Sequence, residues 1–216
     1  MTDLNNGAPS TPATLPYRGE IGVQFSLVPA SDQFIPIILA AIEGLDRVEG
    51  LSVSPDKVST YMAGTIDVVF GALTTTFVRA SQSGAHIVQP LLASRGCPGW
   101  EGKAATVSAA DGGSAAALAL ANFVPPASSG IEASAQFALL PMGDANYIQI
   151  IASSLTFLSE VGLQVQTKNL VTRVDGDAAL VLAAFATILT HFGAPDGHVV
   201  LNATLVANSP TEEAYA

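Results

Sequence analysis

Hydrophobic and polar positions alternate in short blocks over residues 21–93, and each block predicts one element. The apolar run Ile21–Val28 ends at a proline, which is typical of a strand. Apolar side chains then recur with helical spacing from Phe34 to Leu45, and Ser31 or Asp32 is the expected N-cap. The first part of the chain therefore predicts a strand followed by a helix.

The next blocks predict two more strands, a second helix and a last strand. Leu51–Val53 and Val58–Ala63 flank a turn, and a helix with an apolar face starts after Gly64. His86–Ala93 completes the series. The order β-α-β-β-α-β is that of a ferredoxin-like unit, an α+β fold in which both helices cover one face of an antiparallel sheet.

The same pattern occurs a second time, 112 positions later. Several residues return at this offset: Gln24, Phe25, Leu27, Pro29, Asp32, Thr60, Gly64 and His86 match Gln136, Phe137, Leu139, Pro141, Asp144, Thr172, Gly176 and His198. The second copy predicts strand Ala133–Leu140, a helix from Asp144 to about Val161, a hairpin over Leu163–Asp175, a helix capped by Asp177, and strand His198–Ala207. The chain is therefore one unit used twice.

These boundaries divide the chain into five segments. We expect a flexible tail at 1–18, a ferredoxin-like unit at 19–99, a linker with a short helix at 100–132, a second unit at 133–210, and a tail at 211–216. Units of this size bury little surface on their own. We expect the second unit or a second chain to cover the open face of each sheet.

Composition excludes several classes of function. The net charge is −10 with only 8 Lys and Arg, so the chain lacks the basic surface of a nucleic-acid binder. Cys97 is the only cysteine, so no intrachain disulfide can form. The polar N-terminus does not resemble a signal peptide, and the apolar runs are too short to cross a bilayer. We expect a cytoplasmic protein without membrane insertion.

Enzyme motifs are absent from the sequence, which has no phosphate loop, HExxH, CxxC or GxSxG. His86 and His198 hold equivalent places in separate units, where they bond locally or line a pocket rather than share a metal. Cys97 matches Ser209 in the repeat, so this position calls for a small polar group rather than a nucleophile. We expect no catalytic residue, no metal and no cofactor.

Polar residues kept in both copies are the stronger candidates for a binding site. Gln24 and Gln136 lie inside apolar strands, and Thr60 and Thr172 lie on the third strand of each unit, with Ser59 beside the first. Either these side chains bond to their surroundings, or they ring a pocket between sheet and helices. Asp32 and Asp144 also have two interpretations: each either caps a helix or contacts a bound ligand. Phe34 and Tyr147, at the helix starts, pack in the core or stack on a ligand ring.

These motifs resemble those of the YkoF-related family of thiamin and hydroxymethylpyrimidine-binding proteins. The resemblance covers about residues 21–99 and 133–210. It rests in the first copy on Phe25-Ser26-Leu27 with Pro29, Ser59-Thr60, Gly64-Thr65-Ile66-Asp67, His86-Ile87-Val88 and Gly96-Cys97-Pro98-Gly99. In the second copy it rests on Gln136-Phe137-Ala138-Leu139 with Pro141-Met142, Asp175-Gly176-Asp177, His198 and Ala207-Asn208-Ser209-Pro210.

The resemblance implies tandem ferredoxin-like units, a homodimer, and one pyrimidine pocket per unit. It implies a non-catalytic role in binding or delivering thiamin or its pyrimidine precursor, often alongside an uptake system. It also adds Ser94, Cys97, Asn208 and Ser209, which close the last strands, as ligand positions. The full candidate set is Gln24, Ser26, Asp32, Ser59, Thr60, His86, Ser94, Cys97, Gln136, Asp144, Tyr147, Thr172, His198, Asn208 and Ser209.

Two alternative functions stay open at this point. A cofactor-free enzyme on a similar α+β scaffold would need a coupled acid and base in one pocket. The other alternative is a regulatory module that senses another small metabolite, such as an amino acid. An amino acid would need a cation for its carboxylate, and Arg79, Arg95 and Arg173 share no repeat position. An acidic protein favours a cationic ligand over an anionic one, and thiamin carries a positive thiazolium ring.

Overall fold

A computed structural model of the chain describes residues 19–97, 112–194 and 197–211. The first unit consists of β1 (Glu20–Phe25), β2 (Val28–Ala30), α1 (Phe34–Ile42), a 3₁₀ turn (Leu45–Arg47), β3 (Ser52–Pro55), β4 (Thr60–Thr65), α2 (Ile66–Ser81) and β5 (His86–Arg95). After α3 (Gly112–Asn122), the second unit consists of β6 (Glu132–Met142), α4 (Tyr147–Glu160), β7 (Gln164–Thr167), β8 (Thr172–Asp177), α5 (Ala178–His191) and β9 (His198–Ala207). The expected tail at 1–18, the linker up to 111 and the tail beyond 211 lie outside the described residues.

The nine strands of the described residues join one antiparallel sheet. Its order is β3-β4-β1-β5-β9-β6-β8-β7, with β2 paired beside β1 on β5. The helices contact one another in a single layer, since α2 packs on α1 and α5, and α3 packs on α4 and α5. Each unit therefore has the βαββαβ order with helices on one face, and the tandem ferredoxin-like prediction is confirmed.

The two units join edge to edge through β5 and β9. The register pairs Ile87 with Ala207 at one end and Arg95 with Val199 at the other. At its centre, Leu91 pairs with Ala203, which is its own counterpart at the repeat offset. A pseudo-twofold axis therefore passes through this pair. The second unit extends the sheet instead of covering its open face, so that part of our expectation was wrong.

Alternation along the strands separates the two faces of the sheet. Ile21, Val23 and Phe25 of β1 are buried beneath the helices, whereas Gln24 between them is exposed. The same alternation holds along β6, where Ala135, Phe137 and Leu139 are buried. Because neighbouring side chains on a strand point to opposite faces, the core lies only between sheet and helices. The opposite face, here called the open face, has no described element on it.

The predicted first strand is two strands. β1 ends at Phe25, and β2 runs through Pro29 rather than ending before it. Pro29 is tolerated because β2 has a partner on one side only, so its missing N–H costs no ladder bond. The break at Ser26 is fixed by a bond from its backbone N–H to the Pro90 carbonyl.

The starts of α1 and α4 differ from the sequence prediction. The N-cap of α1 is Gln33 and that of α4 is Asn146, so neither Asp32 nor Asp144 is the cap residue. The N-cap of α1 lies one or two residues later than expected, and that of α4 lies two residues later. The prediction for α5 is confirmed, because the Asp177 carboxylate accepts a bond from the Ala179 N–H.

Asp177 also fastens the segment before β6. Its second oxygen accepts bonds from the Ser128 hydroxyl, the Ser129 and Gly130 N–H groups and the Ser129 hydroxyl, all at 2.8–3.0 Å. Burial by itself would raise the pKa of this carboxyl, but the hydrogen bonds outweigh burial and the pKa is lowered. One side chain therefore caps a helix and holds the entry to the second unit.

Helix α1 is apolar throughout but poorly covered. Of its nine residues only Ala41 is buried, and Phe34, Ile35 and Leu39 are each about half exposed. The expected inward apolar face therefore forms only in part. In the second unit α3 packs against the corresponding helix α4. No described helix precedes the first unit in the same way, and α1 is less covered than α4.

The strand ends at the junction fasten each unit to a loop of the other. The buried Arg95 guanidinium, at the end of β5, donates to the carbonyls of Phe192, Ala194 and Gly197. After β9, the Asn208 amide donates to the carbonyls of Ser81 and Ala85 at 2.8 and 2.9 Å. Asn208 adopts φ 53°, a left-handed conformation that asparagine tolerates better than most residues. Both contacts reinforce the junction between the two units.

Gln89 is an isolated polar side chain in the core. It is fully buried on β5, and both its amide nitrogen and its amide oxygen lack a hydrogen-bond partner within the described residues. Its repeat counterpart is Leu201, which is equally buried. An unsatisfied buried amide is destabilising, so this position is a weak point of the core.

We expect Gln89→Leu to raise the free energy of unfolding by about 1–3 kcal/mol, because the substitution removes an unsatisfied amide at nearly constant size. Urea unfolding would measure the change as a higher midpoint. Leu201→Gln is the matched control and should lower stability. A less stable Gln89→Leu variant would show that the amide is satisfied in solution, for example by a buried water.

Asn208→Asp should lower the free energy of unfolding by about 1–3 kcal/mol. The aspartate keeps the shape and backbone preference of the residue but loses both N–H donors to Ser81 and Ala85. Thermal unfolding measures the loss. Ser209→Ala, one residue further along, should change stability by no more than about 0.5 kcal/mol. Equal stability of the Asn208→Asp variant and the unaltered chain would contradict this fastening role.

Candidate ligand-binding site

The repeated polar residues do not surround one pocket between sheet and helices. Gln24 pairs with Tyr61 on the open face, whereas Thr60 pairs with the buried Phe25 and therefore faces the helices. In the second unit, Gln136 pairs with Arg173, and Thr172 pairs with the buried Phe137. The glutamines and threonines thus lie on opposite faces, because neighbouring positions of paired strands alternate. The predicted common pocket was wrong.

The second unit has a cavity of about 570 Å³ on the open face. We call it the second-unit slot, and it is formed by β6, β8, β9 and the residues after β9. Its lining residues are Ser134, Ala135, Gln136, Arg173, Thr204, Val206, Ser209 and Thr211. Gln136 and Ser209 belong to the candidate set from the sequence. Cavities of this size hold small organic ligands.

A charged network forms the wall of the slot at β8. The Ser134 hydroxyl donates to Asp175 Oδ1 at 2.5 Å, and Arg173 Nε donates to the same oxygen at 2.9 Å. Arg173 Nη2 lies 2.8 Å from that oxygen and 3.3 Å from Ser134 Oγ. The guanidinium is therefore held in place with its charge balanced. Arg173 thus lines the slot with its guanidinium already paired to the Asp175 carboxylate.

Other polar groups of the slot are available to a ligand. The Gln136 amide and the Thr204 hydroxyl make no side-chain hydrogen bond within the described part of the chain. These residues are direct neighbours across β6 and β9. Ser209 Oγ accepts a 3.3 Å bond from the Thr211 N–H and can still donate. Together they offer both donors and acceptors to a flat polar molecule.

In the first unit, three candidate residues meet at the β3–β4 turn. Gln24 Nε2 donates to Ser59 Oγ at 2.7 Å, and Ser26 Oγ donates to the Val58 carbonyl at 2.9 Å. The turn is itself stabilised by Asp56, which accepts bonds from the Val58 and Ser59 N–H groups. These contacts match the first of the two alternatives for Gln24 and Ser59, in which the side chains bond to their surroundings.

A second group of candidate residues lies where β5 ends and β9 begins. Ser94 Oγ and His198 Nε2 are 3.1 Å apart. Burial, and then the charge of Arg95, lower the pKa of His198, so this imidazole is held in its neutral form. Cys97 follows β5 and is half-buried. These three residues share one region of the open face, separate from the second-unit slot.

The remaining candidates are scattered. Asp144 and His198 line a crevice that has no room even for water, and Asp144 Oδ2 is buried there without a partner in the described residues. Asp32 and Tyr147 are exposed near the starts of α1 and α4. His86 is half-buried with an unpartnered Nδ1, and the Asn208 amide is engaged by Ser81 and Ala85. The structure therefore gathers only part of the candidate set.

Sequence reasoning missed the residues that form most of the second-unit slot. Ser134, Arg173, Asp175 and Thr204 do not recur at the repeat offset, so a search for shared residues overlooked them. Alternation offered a signal, since Ser134 lies two positions from Gln136 and Arg173 lies two positions from Asp175. Their joining on one face, however, depends on the strand register.

Other features of the described residues do not add a second candidate. Two further cavities, of about 450 and 490 Å³, lie between α2 and α5 and between α2 and the turn after α1, and no candidate residue lines either of them. Within the described ranges there is no cluster of three side chains that could hold a metal ion. No described helix has the length and apolar composition needed to cross a membrane.

Comparison with known proteins gives a match over both units. The model of the YKOF-related Family matches residues 20–100 and 132–212. A curated relative from Bacillus subtilis (strain 168), the "Putative HMP/thiamine-binding protein YkoF", is 30% identical over 194 residues, covering 89% of this chain and 92% of the relative. The family boundaries bracket the two βαββαβ units. The chain belongs to the YkoF-related family.

Proposed function

We propose that the chain binds thiamin or its hydroxymethylpyrimidine moiety, without catalysis, in the uptake or salvage of thiamin precursors. The name of the Bacillus subtilis relative, a putative HMP/thiamine-binding protein, supports this ligand class. The second-unit slot is the observation that carries the proposal, because it combines open volume with polar groups that are free to bind. The resemblance implies one site per unit, and the second-unit slot is the site proposed here.

The chemistry of the slot suits an aminopyrimidine. Such a ring has an amino donor and ring-nitrogen acceptors on its edge and two apolar faces. Gln136 and Thr204 can each donate and accept. Val206 and Ala135 supply apolar surface. The positive thiazolium ring of thiamin is favoured further by the net charge of −10.

An anionic metabolite, such as an amino acid, fits the slot less well. Its carboxylate would have to compete with Asp175 for the Arg173 guanidinium. Asp175 already binds that guanidinium at 2.8–2.9 Å. It would also add negative charge beside an existing carboxylate. The paired state of Arg173 therefore favours a neutral or cationic ligand.

Calorimetric titration with thiamin and with hydroxymethylpyrimidine tests the proposal. We expect saturable binding by the full chain. Gln136→Leu and Thr204→Val should each weaken binding about five- to tenfold, the loss of one hydrogen bond. Gln149→Leu makes the same chemical change on the exposed surface of α4 and should leave the affinity unchanged. Failure of both compounds to bind at millimolar concentration would overturn the proposed ligand.

We also propose that a second copy of the chain covers the open face. The centre of that face, at the β5–β9–β6 junction, carries Leu92, Leu140 and Met142, each about half exposed. Val200 lies between Ser94 and Leu140 in the same row of the sheet. This apolar centre contains no charged side chain, which is the composition found at the core of protein interfaces.

Sedimentation equilibrium tests the homodimer. We expect the full chain to sediment as a dimer, and the double variant Leu92→Lys, Leu140→Lys to sediment as a monomer, because two buried charges would face each other across the interface. Leu170→Lys is the control, since Leu170 is 92% exposed in the β7–β8 turn. A monomeric unaltered chain would rule out this contact.

We place this binding function in the cytoplasm, beside an uptake system that supplies the ligand. The resemblance supports the association, and the small number of basic residues argues against a nucleic-acid binder. Cell fractionation and co-purification test both parts. Recovery of the chain outside the cytoplasm would contradict the location, and loss of the gene without effect on thiamin uptake would contradict the role.

A further inference from the structure

The first unit has the counterpart of the second-unit slot, but an aromatic side chain lies in it. At the repeat offset, Ser134, Arg173 and Thr204 correspond to Gly22, Tyr61 and Leu92. We call the region around Gly22, Gln24, Tyr61, Leu92, Ser94 and Cys97 the first-unit slot. Gly22 pairs with Ser94, and Gln24 pairs with Tyr61 and Leu92, so these strands are arranged as in the second unit.

The Tyr61 ring lies directly on the backbone of Gly22. A Cβ atom at Gly22 would be 2.8 Å from the Tyr61 hydroxyl oxygen, and 3.0 and 3.3 Å from two ring carbons. The first distance is shorter than real Cβ contacts and the other two are unusually tight, so the ring occupies space that a side chain at this position would need. In the second unit the matching residue is Ser134, and the matching side chain, Arg173, is turned to Asp175. The volume filled by a ring in one unit is therefore open in the other.

The hydroxyl end of Tyr61 lies among other groups of the first-unit slot. Burial raises the pKa of this phenol, and negative charge at Glu20 and at Cys97 raises it further. The hydroxyl end of the ring therefore lies over the Gly22 backbone and is partly withdrawn from water.

The polar groups of the first-unit slot are engaged or replaced. Gln24 donates to Ser59, and Ser94 bonds with His198. Leu92 is apolar where Thr204 offers a hydroxyl. A ligand would therefore have to break existing bonds as well as displace the ring. By contrast, Gln136 and Thr204 make no such side-chain bonds within the described residues.

From these observations we propose that Tyr61 is an internal occupant of the first-unit slot, so that each chain takes one planar heteroaromatic ligand, in the second unit. This inference rests on the proposed function for the identity of the ligand. The closure of the first-unit slot itself rests on the Tyr61–Gly22 contact. It also identifies where a ligand ring sits in the second unit: over Ser134, as the tyrosine ring sits over Gly22.

Calorimetric stoichiometry with thiamin and hydroxymethylpyrimidine tests the proposal on the full chain. We expect one ligand per chain for the unaltered protein and for Tyr61→Phe, which keeps the ring. Tyr61→Ala should bind two. Tyr61→Arg replaces the ring with the side chain that the second unit has at this position, Arg173, and should also bind two ligands per chain. Two ligands per unaltered chain, or one per Tyr61→Ala and Tyr61→Arg chain, would overturn the proposal.

A measurement without ligand separates this proposal from the proposed function. Cys97 is the only cysteine, is half-buried, and corresponds at the repeat offset to Ser209, which lines the second-unit slot. Its rate of reaction with a thiol reagent therefore reports access to the first-unit slot. We expect the rate to rise at least severalfold in Tyr61→Ala and to stay unchanged in Tyr61→Phe. This result together with no ligand binding would overturn the proposed ligand but support the closed slot. An unchanged rate in Tyr61→Ala would overturn the closed slot.

Discussion

The pairing of β5 with β9 is the constraint on which the molecule depends. It joins two units, neither of which has much core of its own, into one sheet of nine strands in the described chain. It also removes two long exposed edges, so that the outer edges are the four-residue strands β3 and β7. A slip of one residue in this register would turn every side chain of β5 or β9 to the wrong face. Arg95 and Asn208 resist such a slip from both ends.

This edge-to-edge junction also separates stability from binding. All the helices lie on one face and enclose the apolar core, so nearly every buried hydrophobic residue is committed to packing. The open face is left for polar chemistry, and both slots lie there at equivalent positions about the pseudo-twofold axis. The fold thus holds two copies of one site in a fixed relation, while their side chains differ. Arg173 and Thr204 make one copy polar, and Tyr61 and Leu92 make the other aromatic and apolar.

Most of the fold could be predicted from local patterns in the sequence. The repeat offset, the strand and helix periods and the Asp177 cap depend on residues that are close along the chain. The break between β1 and β2, the late starts of α1 and α4 and the edge-to-edge joining depend on tertiary contacts. The site was less predictable for the same reason. Residues shared by the copies, such as Thr60 and Thr172, proved to face the helices, whereas Arg173 and Asp175 appear in one copy only and meet Gln136 through the register.

The central pair of the junction shows what a tandem arrangement permits. In a symmetric dimer of a single unit, an axis through the pair would bring two identical side chains together, and a bulky residue would meet its own copy. Here Leu91 stands opposite Ala203, a large residue beside a small one. A fused chain can fit shapes across the axis in this complementary way, because each half is encoded separately. The same independence lets one half keep a cavity while the other fills it.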